Sequence, residues 1–144
     1  MSRDLGDYAF VMEQSAADML TKLEQVRQVC LGDASQYLQV VPGIVPILQT
    51  AQAVEVRRWG SQFIAEAFAT PSLSGHHKEQ LISDTVMALL RGFLETPKED
   101  VTVIQSAVQA CASIYPYVFR KVYVVFDQFA MTHLISSTEL PIQS

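Results

Sequence analysis

The sequence lacks any uninterrupted apolar run long enough to cross a membrane. Its longest runs, such as Val122–Phe126, are far shorter than the roughly 20 residues that a bilayer-spanning helix needs. The amino terminus carries Arg3, Asp4 and Asp7 where a signal peptide would have its apolar core. We therefore expect neither a membrane protein nor a secreted one.

Basic residues are few and are not gathered in the sequence. Ten Lys and Arg residues against fifteen Asp and Glu residues give a net charge of −5, which repels a phosphate backbone. The only adjacent basic pairs are Arg57-Arg58 and Arg120-Lys121. Direct binding of nucleic acid is therefore not expected.

Motifs for catalysis, cofactors and metals are also missing. No nucleophile elbow, dinucleotide-binding glycine motif or phosphate-binding loop occurs. His76 and His77 are adjacent, but no cysteine or acidic pair stands beside them at the spacing of metal ligands. Cys30 and Cys111 each fall on an apolar helix face, which is typical of buried, reduced thiols. We expect no enzyme activity, cofactor or metal.

Amphipathic helices are what the sequence does contain, since apolar residues recur at three-and-four spacing. The first helix is predicted over Ser15–Leu31 and is expected to stop at Gly32 with a positive φ angle. Asp33 then caps the second helix. Pro42 and Pro46 fall inside this second pattern, so the helix either kinks or begins afresh near Pro42.

The second half of the chain contains further helix signals. The turn-rich loop Thr70–Gly75 precedes a fourth helix that is predicted over about His77–Leu94. The sequence Thr96-Pro97-Lys98-Glu99 combines a capping threonine, a first-turn proline and a glutamate three residues after the cap, and predicts the start of a fifth helix. After Pro116 a β-branched and aromatic run fits a strand, but a lone strand has no partner, so a last helix is favoured.

One segment of the sequence is an approximate repeat of another. Pro46–Phe68 returns in outline as Gly92–Tyr115, and Val101 lies 47 residues after Val54. This period is typical of HEAT repeats, so we predict an all-α fold of HEAT-like antiparallel helix pairs, stacked as a short right-handed α-solenoid. The predicted organisation is a flexible amino-terminal segment (1–14), the repeat domain (15–135) and a frayed tail (136–144).

The repeat also predicts a candidate protein-binding strip. At the 47-residue spacing Arg58 aligns with Gln105 and Gln62 aligns with Gln109. Two successive second helices, which line the concave side of a HEAT stack, would then present long polar side chains at equivalent places. Such a row fits a docking strip, and a merely solvated face explains it equally well.

Two neighbours of Arg58 are expected to have structural roles. Arg57 is predicted to hydrogen-bond the preceding turn and a neighbouring repeat. Trp59 lies in the middle of an apolar stripe, where a core position is favoured over a role as an interface anchor. Because only the first copy carries basic residues here, the strip would be basic at one end, which favours an acidic partner near Arg58.

Two strings in the sequence resemble a known family. The stretches Val54–Phe68 and Val108–Arg120 are similar to the amino-terminal HEAT region of symplekin, particularly in its fungal relatives. The resemblance implies a non-catalytic scaffold of the nuclear cleavage and polyadenylation machinery, which forms the 3′ ends of messenger RNA. It further implies docking of processing factors and of a phosphatase that acts on the carboxy-terminal domain of RNA polymerase II. A HEAT-like adaptor in nuclear transport or vesicle traffic is the alternative.

Overall fold

The computed structural model describes the backbone of residues 2–136 and the side chains of residues 15–118. In this part of the chain every regular element is a helix, so the all-α prediction is confirmed. The tail predicted to fray lies outside the described residues from 137 onward. The elements are α1 (Ser2–Gly32), a short 3-10 helix (Ala34–Gln36), α2 (Tyr37–Thr50), α3 (Val54–Ala69), α4 (Gly75–Leu81), α5 (Asp84–Glu95) and α6 (Val101–Ser136).

The first helix is longer than its apolar pattern. It begins at Ser2 rather than at Ser15, because extending an existing helix costs less than nucleating one. It ends at Gly32 without a positive φ angle, so that expectation was wrong. The chain turns instead at Asp33, whose extended backbone stops the helix and whose carboxylate accepts a hydrogen bond from the Ser35 backbone N–H at 3.1 Å. Asp33 therefore caps the short 3-10 helix that leads into α2, and not α2 itself, which begins after Gln36 without a side-chain cap.

Helix α2 is a single element that runs through both of its prolines. The alternative that a new helix begins near Pro42 was therefore wrong. Pro42 and Pro46 lie on the exposed face, while Val41, Val45 and Leu48 are buried on the other. Prolines on the outer face leave the packing of the inner face intact.

The predicted fourth helix is divided into two, α4 and α5. The break lies at Ile82 and Ser83, and the Ser83 hydroxyl accepts a hydrogen bond from the Val86 backbone N–H at 3.2 Å. Ser83 is thus an N-cap inside what looked like one apolar stripe. The wide apolar face therefore belongs to two successive helices and not to one.

The start of α6 also differs from the prediction. Thr96 ends α5 and donates its hydroxyl hydrogen bond back to the Gly92 carbonyl at 2.5 Å. The next helix begins only at Val101, where the Asp100 carboxylate accepts the Thr102 backbone N–H at 2.8 Å. The predicted cap at Thr96 was therefore wrong, and Asp100 caps α6 instead.

Helix α6 continues through Pro116 to Ser136 as one element. The predicted fifth and last helices are therefore the same helix, and the strand alternative is wrong. The backbone between α5 and α6 includes Lys98 with a φ angle of 62°, a left-handed conformation that reverses the chain in few residues.

Helix α3 lies between α1 and α6, and α2 packs against both α3 and α5. Residues later in α1 contact residues later in α3. Glu24 contacts Trp59, and Arg27, one turn farther along α1, contacts Glu66. The two helices therefore run in the same direction.

The contacts between α3 and α6 follow the same rule. Arg58 meets Thr102 near the start of both helices, and Phe68 meets Tyr117 farther along, with ring centroids 6.2 Å apart. Helices α1, α3 and α6 thus form a row of three that point the same way. The largest fully buried side chains include Tyr37, Phe63, Phe68, Leu48, Ile64, Leu90 and Ile114.

Candidate protein-binding surface

Two grooves lie between neighbouring helices of the row formed by α1, α3 and α6, and they share residues on α3. The groove between α1 and α3 has a volume of about 140 Å³, and the groove between α3 and α6 about 230 Å³. Gln62 and Glu66 line both grooves, so we treat the two as one surface and call it the track. Its lining residues are Glu24, Arg27, Trp59, Gln62, Phe63, Ala65, Glu66, Ala69, Ser106, Gln109 and Ser113.

A network of charged side chains joins α1 to α3 within the track. The Arg27 Nε atom donates to both Glu66 carboxylate oxygens, at 3.2 and 3.0 Å, and its Nη1 atom donates to Glu24 at 3.3 Å. The hydrogen bond to Glu66 is the main reason that the pKa of Arg27 is raised. Glu66 also accepts the Tyr37 hydroxyl at 3.3 Å. One arginine between two carboxylates leaves this part of the track with one negative charge in excess.

Trp59 belongs to the core and to the track together. Its ring stacks on Phe63, with centroids 4.9 Å apart and planes 9° apart, and it is half-buried against the core. The indole Nε1 donates to Glu24 at 2.7 Å. Of the two roles weighed for this residue, the core role accounts for the stacking, while one edge lines the groove between α1 and α3.

Arg57 has the structural role predicted for it. Its Nη1 atom donates to the carbonyls of Ala51 and Gln52, at 3.2 and 2.5 Å, in the turn before α3. Its Nε and Nη2 atoms donate to the two oxygens of Glu99, at 3.1 and 2.8 Å, in the loop before α6. We call this arrangement the Arg57 clamp. It fixes the start of α3 to the start of α6.

Arg58 is half-buried and hydrogen-bonds a residue of the same chain. Its Nη1 atom donates to the Thr102 hydroxyl at 2.9 Å, and that hydroxyl is hydrogen-bonded in turn to the Asp100 carboxylate. Hydrogen bonds from Thr102 are the largest cause of the lowered pKa of Asp100, and the Arg58 charge adds to it. A carboxylate of the chain itself therefore lies close to the cation that was expected to attract an acidic partner.

The other three candidate residues are all exposed. Gln62 and Gln109 line the same groove between α3 and α6, whereas Gln105 and Arg58 do not line it. The structure thus brings one aligned pair together and places the other pair outside the groove. Sequence reasoning missed Ser106 and Ser113, whose helical spacing to Gln109 gave the available signal.

Candidate catalytic and metal-binding groups are sparse within residues 15–118. No group of three or more His, Cys, Asp or Glu side chains there is placed to hold a metal ion. Burial raises the pKa of the Cys30 and Cys111 thiols, which keeps them protonated. Among the described helices, none combines the length and the apolar character needed to span a bilayer.

Comparisons with protein-family models, with curated proteins and with solved structures found no match to this chain. The symplekin-like strings therefore remain the basis for assigning it to a family, and that assignment stays a prediction.

Proposed function

We propose that this chain is a short right-handed α-solenoid of HEAT-like helix pairs that binds other proteins along the track. In this reading α2 pairs with α3, α4 and α5 pair with α6, and α1 takes the place of a preceding second helix. The observation that carries the proposal is the row of α1, α3 and α6 running in one direction, with α2 against α5 behind it. Stacked helix pairs of this kind present extended binding surfaces.

The chemistry of the track suits an extended segment of a partner protein. Exposed glutamine amides donate and accept hydrogen bonds, as the peptide groups of an extended chain also do. Packed helices lie about 8–10 Å apart, which is close to the length of three extended residues at about 3.3 Å each. Gln62 and Gln109, on neighbouring helices, can therefore contact peptide groups about three residues apart along one bound segment.

From the resemblance to symplekin we propose that this activity belongs to the formation of messenger RNA 3′ ends in the nucleus. The partners we propose are cleavage and polyadenylation factors and the phosphatase that acts on the carboxy-terminal domain of RNA polymerase II. The chain itself acts as a scaffold without catalysis or cofactor. The support is the pair of strings at Val54–Phe68 and Val108–Arg120, together with the surface described above.

The test is capture of partners from nuclear extract with the full chain, followed by identification of the captured proteins. We expect the wild type to recover 3′-end processing factors. A double variant, Gln62→Lys and Gln109→Lys, is expected to recover at least tenfold less of them, since it places two cations in the groove. The control is Gln39→Lys on α2, where the glutamine is also exposed but lies outside the track.

Each result of this experiment decides one part of the proposal. Equal recovery by the wild type and the double variant would show that binding lies elsewhere. Specific recovery of transport receptors or coat proteins would favour the adaptor alternative. Failure of the wild type to recover any of these partner classes would contradict the scaffold function.

A further inference from the structure

Helix α6 carries an apolar stripe with a seven-residue spacing. Val101, Val108 and Tyr115 are 65%, 54% and 68% exposed, although each is a large apolar residue. Ile104 and Cys111, three residues after the first two, are half-buried beside them. Apolar residues at the first and fourth positions of successive heptads form the seam of a coiled coil. We call this set the α6 stripe.

The α6 stripe lies on the side of α6 that faces away from α3. Ser106, Gln109 and Ser113 line the groove with α3, and at about 100° per residue they lie roughly 100° to 160° round the helix from Val108. The stripe is therefore separate from the track. A partner on the stripe would extend the row beyond α6 and leave the groove between α3 and α6 open.

The segment of α6 that carries the stripe is uncharged. From Val101 to Phe119 the sequence has no Asp, Glu, Lys, Arg or His, although the whole chain has a net charge of −5. Depletion of charge with exposed apolar side chains is typical of the centre of a protein interface. Two copies of this acidic chain can approach along α6 without placing charged side chains of the stripe against each other.

We propose that two copies of this chain associate through their α6 stripes. A coiled-coil seam needs a partner helix with the same seven-residue period, and a second α6 supplies that period with the same neutral composition. Symmetric pairing of one surface with itself is the commonest way in which soluble proteins form dimers. Val108, the middle of the three exposed residues, is then buried in the interface. This inference is independent of the function proposed above.

The test is the molar mass of the full chain in solution, measured by sedimentation equilibrium over a range of concentrations up to about 100 µM. We expect the wild type to show twice the chain mass of 16.0 kDa. Val108→Glu is expected to return it to the mass of one chain, because a carboxylate then faces the apolar seam. Gln109→Glu adds the same charge one residue away, on the track side, and is expected to remain dimeric.

Helical content and melting temperature of both variants show whether each is folded. Because Val108 is already more than half exposed, its replacement should leave the fold of one chain intact. A wild type that stays at 16.0 kDa at every concentration overturns the proposal. So does a folded Val108→Glu variant that dimerises as strongly as the Gln109→Glu control. If Val108→Glu does not fold, Tyr115→Lys at the end of the stripe serves as the second variant, with the same expected loss of the dimer.

Discussion

Replacing Glu99 with glutamine tests the Arg57 clamp. The Glu99 side chain is only 4% exposed and accepts two hydrogen bonds from Arg57, at 3.1 and 2.8 Å. In Glu99→Gln one carboxylate oxygen becomes an NH₂ group, which faces an Arg57 N–H donor and cannot accept from it. Losing one charged hydrogen bond in a buried site costs about 2 kcal/mol. For a chain of this length that corresponds to a fall of roughly 6 °C in melting temperature.

The assay is thermal and urea unfolding of Glu99→Gln beside Glu95→Gln. Glu95 also pairs with an arginine, Arg91, at 2.9 Å, but the two side chains are 64% and 75% exposed. Exposed ion pairs contribute little to stability, so we expect Glu95→Gln to melt with the wild type. If the two variants melt at the same temperature, the clamp adds no more than a surface pair and our reasoning about its burial is wrong.

The stabilisation from Glu99 should also depend on pH. Its pKa is lowered, chiefly by the hydrogen bonds from Arg57, so the folded state holds the carboxylate form more firmly than the unfolded state does. The contribution is therefore complete above the unfolded pKa of about 4.3 and is lost as the pH falls through the lower folded value. We expect the difference between wild type and Glu99→Gln to be constant from pH 7 to about 5 and to shrink in more acidic solution.

Two further predictions concern a helical glycine and a buried tyrosine. In Gly60→Ala the new Cβ would lie 2.5 Å from both Leu48 methyl groups, so we expect a loss of about 1–3 kcal/mol in urea unfolding; Gly92→Ala, with nothing within 4 Å, should be neutral or up to about 1 kcal/mol more stable. Burial and Glu66 raise the pKa of Tyr37 to about 12. Because the folded state keeps this proton longer than the unfolded state, stability should fall between about pH 10 and pH 12 in the wild type. Tyr37→Phe should lose less over the same range, and equal losses would contradict the assignment.

That the elements are helices could be predicted from the sequence, because the apolar periodicity of a helix depends only on residues close together in the chain. In α3, for example, Val56, Phe63 and Ile64 recur at helical spacing in the sequence, and all three are buried. The boundaries of α6 were harder, since Thr96 and Asp100 both carry capping signals. The choice between them depends on Glu99, which is held outside the helix by Arg57, a residue 42 positions earlier. A contact of that range has no signature in a local pattern.

The track, too, could be predicted from the sequence only in part. The 47-residue repeat predicted equivalent positions for Gln62 and Gln109, and both line one groove. The repeat could not show that Glu66 faces Arg27 of α1 rather than solvent, because Arg27 lies 39 positions earlier, outside the duplicated stretch.

The Arg57 clamp has a mechanical consequence for the row of helices. It pins α3 to α6 at their amino-terminal ends through an ion pair of fixed geometry, whereas near the carboxy-terminal end of α3 the rings of Phe68 and Tyr117 meet at a tilt, with centroids 6.2 Å apart. Apolar rings can slide over one another at little cost, but two directed hydrogen bonds cannot. When the row bends to fit a partner, we therefore expect α3 and α6 to stay fixed at the clamp and to separate increasingly with distance from it.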